Sequence, residues 1–344
     1  MNSYAIRPLA VLLLGILVAS SSSILIRYAQ QAGLHSLLIA FGRVSLAASL
    51  LWLLLGRSAC NELRKHHDLG GLLKVLGWCA LGGFALAVHF ALWISSLQWT
   101  SVAMSSALVS TNPLWVGLVC WMLFGERLGK VAWAGIALSC FGTVSLLIPS
   151  DPPLLPNTLV VSPLSGWFEA LSNIQVDPSS VELEGQSLGN VLALGGALAM
   201  SAYLVIGSRI SNRITTPTYF LLINTGCAAV LAGFVLSSEP ASQGLSQWIQ
   251  QIFEWDERTL ALNAWVGLAC LIGLALGPQL MGHGSINWAL GRLPTTLVAV
   301  AILGEPLGSA IWAYLIWQES VGPMEALGLV AIMGGIFLVA RSTR

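Results

Sequence analysis

The sequence predicts an all-α integral membrane protein of ten transmembrane helices, arranged as two inverted five-helix repeats. Three observations carry this reading. The 344 residues are 56% hydrophobic and 9% charged, with a mean hydropathy of +0.80, whereas soluble domains carry about 25% charged residues. The apolar residues fall into runs close to the roughly 20 residues that cross a bilayer. A shift of 193 positions carries Leu97 onto Leu290, Pro113 onto Pro306, Glu126 onto Glu319, Gly135 onto Gly328 and Gly142 onto Gly335, so the second half repeats the first.

Taken in order, the first five spans read at 8–28, 36–56, 72–97, 100–124 and 131–149, and the second five at 187–208, 217–237, 261–288, 294–317 and 323–341. Residues 1–149 and 187–344 are then the two repeats, joined by 150–186. Orientation follows from lysine and arginine in short loops and at helix ends. With the N-terminus in the cytoplasm, Arg7, Arg57, Arg64, Lys65, Lys74, Arg127, Lys130, Arg209, Arg213, Arg292, Arg341 and Arg344 lie inside, against Arg27 and Arg258 outside. Both termini are therefore expected in the cytoplasm, with the chain in the plasma membrane. An odd number of spans per repeat makes the halves inverted copies, a transporter architecture.

The joining segment holds Asp151, Glu169, Asp177, Glu182 and Glu184 with no lysine or arginine, and reads as a linker on the outer face. Within it, 163–174 has the pattern of a short surface helix, with Leu164, Trp167, Phe168 and Leu171 on one side. Trp248, Ile249, Ile252 and Phe253 give the second outer loop the same pattern. Arg7 followed by an apolar run and the small residues from Ala19 to Ser23 also fits a secretory signal. Its removal would leave nine spans and an unpaired repeat, which disfavours that alternative. Five of the six cysteines sit inside apolar runs as small core residues, with neither a disulfide framework nor a metal site. The zero net charge and the lack of long basic tracts argue against nucleic acid as a partner.

The stretch AFGRVSLAASLLWLLL at 40–55 resembles the second helix of the drug/metabolite transporter superfamily, EamA-type branch, in which an arginine interrupts the helix. Residues 108–147, with Asn112-Pro113, Gly125-Glu126-Arg127-Leu128 and later glycines, are similar to the end of an EamA repeat. GHGSINWALGRL at 282–293 and LGEPL at 303–307 resemble the end of the eighth span and the middle of the ninth. The second copy departs from the pattern, with Gln318-Glu319-Ser320-Val321 in place of Gly-Glu-Arg-Leu. The resemblance implies a small-molecule carrier, frequently an exporter of amino acids, other metabolites or drugs, working by alternating access.

Several residues are too polar for their depth. Glu305 lies ten residues into the ninth span, about 15 Å along the helix, near the middle of the hydrocarbon core. An intramembrane carboxylate is costly and marks a functional candidate, either a proton carrier or a partner for a cationic group, with a hydrogen-bonded structural acid as the alternative. Its repeat counterpart is the neutral Asn112. Arg43 lies about a third of the way through the second span and must find an acid, carbonyls or a wet cavity. It is a candidate for attracting a substrate carboxylate, and structural pairing is at least as good a reading. Pro113 and Pro306 free the carbonyls of Val109 and Ile302 and mark candidate kinks at matching places of the repeats. His89 and His283 come from equivalent spans and are candidate proton relays, although a lone buried histidine more often serves as a satisfied core residue. Trp93, Asn287 and Trp288 are candidates for lining a pocket, and packing is their alternative role. Ser106, Ser110 and Ser201 permit close helix approach or bind substrate, and Ser20 to Ser23 form a polar run turned to the bundle interior. Glu126 and Glu319 read as helix ends or gate elements at opposite faces.

A secondary carrier of a small molecule, with protons as the candidate coupling ion, accounts best for this set. No cofactor, metal or catalytic residue is expected, and the oligomeric state is open. The chain lacks a Gly-x-x-x-x-Gly-Lys-Ser/Thr phosphate loop and a His-Glu-x-x-His motif, which disfavours an ATPase or a zinc-dependent intramembrane enzyme. A passive channel or assembly partner is the remaining alternative, and the inverted repeat disfavours it.

Overall fold

The computed structural model describes residues 3–65, 69–99, 105, 108–125, 128–145, 183–210, 213–253, 258–305, 307–309, 311–312 and 323–342. The expected surface helix at 163–174, Ser106, Pro306, Glu126 and Glu319 lie outside them. Among the described residues the regular structure is helical throughout. Six apolar helices are long enough to cross a membrane: Arg7–Gln31, Ser36–Arg64, Gly70–Trp99, Ser187–Ile210, Thr216–Ser237 and Asn263–Leu290. Shorter apolar helices occupy the stretches of the other four expected spans. The molecule is a multi-pass membrane protein, and the exposed Leu14, Leu53, Leu54, Leu123, Val191, Leu236, Val330 and Phe337 fit the lipid face of such a bundle.

The first span is two helices, α1 (Ser3–Ala19) and α2 (Ser22–Gln31), separated by a turn at Ser20 and Ser21. Gly33 (φ 87°) turns the chain into α3 (Ser36–Arg64). The side chain of His35 accepts a 3.2 Å hydrogen bond from the Leu37 N–H, and burial lowers its pKa, which favours the neutral ring that can accept. The third span is α4 (Leu69–Trp99). α5 (Asn112–Phe124) ends on Gly125 in the left-handed region (φ 67°), a conformation suited to a helix stop. α6 (Lys130–Ser145) completes the first half.

The second half holds α7 (Leu183–Ile210), α8 (Thr216–Ser237) and α9 (Glu239–Phe253). The last is the helix anticipated around Trp248, and it packs on the bundle through Ala241, Leu245 and Trp248. The N-terminus of α8 is capped from the other half. Glu62 of α3 accepts from the Thr215 N–H at 2.7 Å, from the Thr215 hydroxyl at 2.6 Å and from the Thr218 hydroxyl. A carboxylate satisfies the orphan donors of a helix start and suits its positive dipole end.

The eighth span is not a plain α-helix. α10 (Arg258–Leu274) widens into a π-helical segment at Ala275–His283 and returns to α11 (Gly284–Leu290). Pro278 within the wide turns cannot donate to the carbonyl four residues back, and such interruptions are frequent at functional sites. α12 (Thr295–Ile302) and α13 (Pro323–Ser342) follow.

α6 and α13 cross antiparallel with backbones in contact. A methyl carbon added at Gly135 would lie 2.8 Å from the Gly335 carbonyl, and one at Gly142 would lie 2.5 Å from the Gly328 carbonyl. The shift of 193 carries the first of these contacts onto the second. Between them Ser139 donates to the carbonyl of Ile332 at 3.4 Å, its own counterpart under the same shift. Phe90 and His283, likewise counterparts, meet edge to face at 5.2 Å. Gly142→Ala is therefore expected to destabilise by about 1–3 kcal/mol, because the obstructing atoms are backbone and cannot swing aside. Gly233→Ala, which meets nothing within 4 Å, should be neutral or slightly stabilising in its helix. Thermal unfolding in detergent checks both, and equal shifts would contradict the packing described.

Candidate functional site

Three spans break where they meet. In the first, the break is the Ser20-Ser21 turn. In the fourth it is the turn at Ser110 and Thr111, just before α5, and in the ninth the turn at Leu303 and Gly304, just after α12. The shift of 193 carries Ser110 and Thr111 onto Leu303 and Gly304, so the fourth and ninth spans break at the same repeat positions. Asn112 and Glu305 then open the second halves. Pro113 differs from the expectation of a kink within one helix: it stands in the first turn of α5, where its missing N–H would be unpaired in any case.

A small cavity lies at the junction, lined by Ala19, Ser20, Ser22, Ser23, Trp93, Val109, Ser110, Ile302, Glu305 and Ser309. Hydroxyls from three broken spans, one carboxylate and one indole thus face a common space. Its volume is about 30 Å³, room for roughly two waters at 10–15 Å³ each and too little for a metabolite. A solute can occupy this place only if the spans around it separate.

The backbone groups released at the breaks are satisfied by side chains. The Leu17 carbonyl accepts from the Ser20 hydroxyl at 2.6 Å and from Trp312 Nε1 at 2.8 Å. The Val18 carbonyl accepts from the Ser21 hydroxyl at 2.8 Å, and the Ser20 carbonyl from the Ser309 hydroxyl at 3.1 Å. In the fourth span the Thr111 hydroxyl returns to the Leu108 carbonyl at 2.7 Å, and Ser201 of α7 adds a 3.1 Å hydrogen bond to the carbonyl of Asn112, the first residue of α5. Leaving any of these carbonyls bare in hydrocarbon would cost several kcal/mol.

Beside the cavity lies a second polar group. Arg43 is fully buried, and Nε, Nη1 and Nη2 all lack a hydrogen-bond partner among the described residues. Its guanidinium carbon sits 4.5 Å from the centroid of the Phe90 ring. The rings of His89 and His283 are each 5.2 Å from Phe90. His89 donates through Nδ1–H to the Gly196 carbonyl at 2.9 Å and stacks on Trp93 at 5.7 Å. His283 Nδ1, Asn287 Oδ1, Trp93 Nε1 and both side-chain polar atoms of Asn112 are buried without partners. Asn287 donates to the Tyr203 hydroxyl and to the His283 carbonyl. Within the π-helical segment, Gln279 donates to Asn224 at 2.8 Å.

The sequence-stated candidates thus separate. Trp93, Ser110 and Glu305 line the cavity, joined by the serines of the first span. Arg43, His89, His283 and Asn287 form the neighbouring cluster, and Ser201 braces Asn112. Trp288 lies elsewhere: its ring carries the Arg292 guanidinium at 4.1 Å and is not part of the cavity wall. Sequence reasoning passed over Ser309, Trp312, Asn224 and Gln279. Pro278 and two uncharged amides in apolar spans were the available signals for the π-helical segment. Among the described residues no group of three metal-ligating side chains occurs.

Similarity to known proteins follows the same plan. The model of the EamA-like transporter family matches residues 7–148 and again 187–341. An uncharacterized transporter of Synechocystis is 22% identical over 267 residues, covering 76% of this chain and 71% of that one. A probable amino-acid metabolite efflux pump of Escherichia coli K12 is 25% identical over 215 residues, covering 62% and 59%. A probable 4-amino-4-deoxy-L-arabinose-phosphoundecaprenol flippase subunit of Klebsiella pneumoniae is 31% identical over 72 residues, covering 21% and 64%. One crystal structure superposes with a TM-score of 0.63 at 16% identity, covering 98% of this chain and 99% of the other, a likeness of fold.

Ser309→Ala should lower stability by about 1–3 kcal/mol, since it leaves the Ser20 carbonyl buried without a donor. Trp312→Phe should cost less, because the Leu17 carbonyl keeps the Ser20 hydroxyl. Thermal unfolding of the two variants in detergent gives the order, and the reverse order would contradict this bracing.

Proposed function

Because the chain belongs to the EamA-like transporter family, we propose that it is a secondary transporter that exports a small metabolite across the plasma membrane by alternating access. The observation that carries this is the convergence of three broken spans on a polar cavity too small for its cargo. Half-helices that meet at mid-depth allow one part of the bundle to tilt against another around a fixed site.

We further read the architecture as ten spans in two inverted repeats, 1–149 and 187–344, with 150–186 as an outer linker and both termini in the cytoplasm. Two features support it: the contacts between α6 and α13 exchange under the repeat shift, and Ser139 and Phe90 each touch their own counterparts. A two-fold axis perpendicular to antiparallel helices requires both. Such an axis lies in the membrane plane and inverts one repeat relative to the other. The bias of lysine and arginine toward one set of loops supports the orientation.

Glu305 is the proposed coupling group. Among the described residues it is the one carboxylate of the cavity wall, it opens the second half of a broken span, and five serines line the same cavity. A proton taken from one side and released to the other at this position would drive the solute in the opposite direction. Reconstituted into liposomes, the protein should show saturable uptake and counterflow, whereas linear flux would indicate a channel and covalent turnover an enzyme. Glu305→Gln should abolish pH-driven transport and retain counterflow. Unchanged pH dependence would remove Glu305 from coupling.

A further inference from the structure

Arg43 is the one charged side chain among the described residues that is fully buried, and its surroundings hold no ion pair for it. Phe90 lies against the guanidinium face at 4.5 Å, which attracts a cation but leaves the N–H groups, arranged around the guanidinium plane, without acceptors. No carboxylate among the described residues, Glu305 included, lies within 4.0 Å of the Arg43 nitrogens. Beside Arg43, and in contact with the same Phe90 ring, His283 presents an unpartnered Nδ1. A buried cation without an acceptor is among the most costly arrangements in a protein. It is retained where the partner arrives from outside. All three nitrogens being free matters for the identity of that partner: a guanidinium edge offers two parallel donors that match two oxygens of one group, a fit that a monatomic anion does not use.

We propose that Arg43 is the recognition point for an oxyanion of the transported solute, a carboxylate or a phosphate, bound between the second, third and eighth spans against Phe90 and His283. This rests on the reading of the protein as a small-molecule carrier and assigns the part of the cargo that the carrier holds. Neither the hydroxyl-lined cavity nor Glu305 supplies a positive group, so the oxyanion and the cavity occupy different ends of the solute. Reaching Arg43 requires the bundle to open, as reaching the cavity does, and occupancy of both ends places the cargo across the three breaks.

The test uses the purified full-length protein in detergent, with sodium acetate, sodium phosphate and sodium chloride compared at equal ionic strength. Acetate or phosphate should raise the melting temperature saturably, by roughly 2 °C or more above chloride, and the better of the two identifies the oxyanion. Arg43→Gln should abolish the difference and Arg43→Lys should retain part of it, at tenfold or more higher anion concentration. Where Arg43→Gln does not fold, the wild-type anion series and Arg43→Lys decide the matter. Indistinguishable curves in acetate, phosphate and chloride, or an oxyanion effect undiminished in the variants, overturn the proposal. Counterflow in liposomes separates it from the transport reading. Oxyanion binding without flux of any solute leaves Arg43 as a site and removes the carrier, whereas equal counterflow of a purely cationic solute by wild type and Arg43→Gln keeps the carrier and removes the site.

Discussion

A helix interrupted within hydrocarbon must find donors for the carbonyls it releases, and this requirement organises the centre of the molecule. Water does this for broken helices elsewhere, but in the bilayer only neighbouring side chains or a wet cavity can. The first span meets it with its own Ser20 and Ser21 and with Ser309 and Trp312 from the ninth. The fourth meets it with Thr111, and Ser201 from the sixth holds the first residue of the half that follows. The breaks are therefore tied to one another, and moving one span changes the partners of the next.

Around the breaks the packing is close where two helices must stay together. α6 and α13 approach closely at glycines and one serine, flanked by Ile136, Ile332, Ile336 and Val339. α3 and α8 are joined at their ends by Glu62, whose two oxygens take three donors. These fixed contacts frame a middle that is polar and only loosely satisfied. The orphaned atoms of Arg43, His283, Asn112, Asn287 and Trp93 lie in that middle, and Ser45, Tyr219, Trp248 and Gln279 carry others elsewhere in the bundle. Polar groups without partners cost stability, and five of the residues that carry them cluster beside the breaks.

Much of this was legible from the residues. The apolar runs gave the spans, and the offset of 193 paired Pro113 with Pro306 and pointed to the break positions. Arg43 and Glu305 stood out because charge is rare at such depth. The nature of the breaks was not legible. Proline alone does not distinguish a kink from a new helix start, and α5 begins at Asn112 because Thr111 turns back on Leu108. The π-helical segment around Pro278 had only weak signals, since a wide turn differs from an α-turn by one residue. Trp288 could not be placed because a tryptophan near a span end serves as pocket wall or as boundary anchor, and its ring packs under Arg292 on the next turn. Ser309 and Trp312 act through carbonyls of another span, a relation that single-sequence periodicity does not encode.

The central claim is that the junction of the three broken spans is reached from each side of the membrane in turn. Cysteine at position 110, in a variant whose six native cysteines are replaced, can be challenged with a membrane-impermeant thiol reagent on right-side-out and inside-out vesicles. The account predicts labelling from both faces, with a bound solute slowing one rate as it raises or spares the other, in vesicles that carry no linear ion or solute leak. Labelling from one face alone under all conditions, or from both faces in vesicles with a linear leak through the protein, would contradict it.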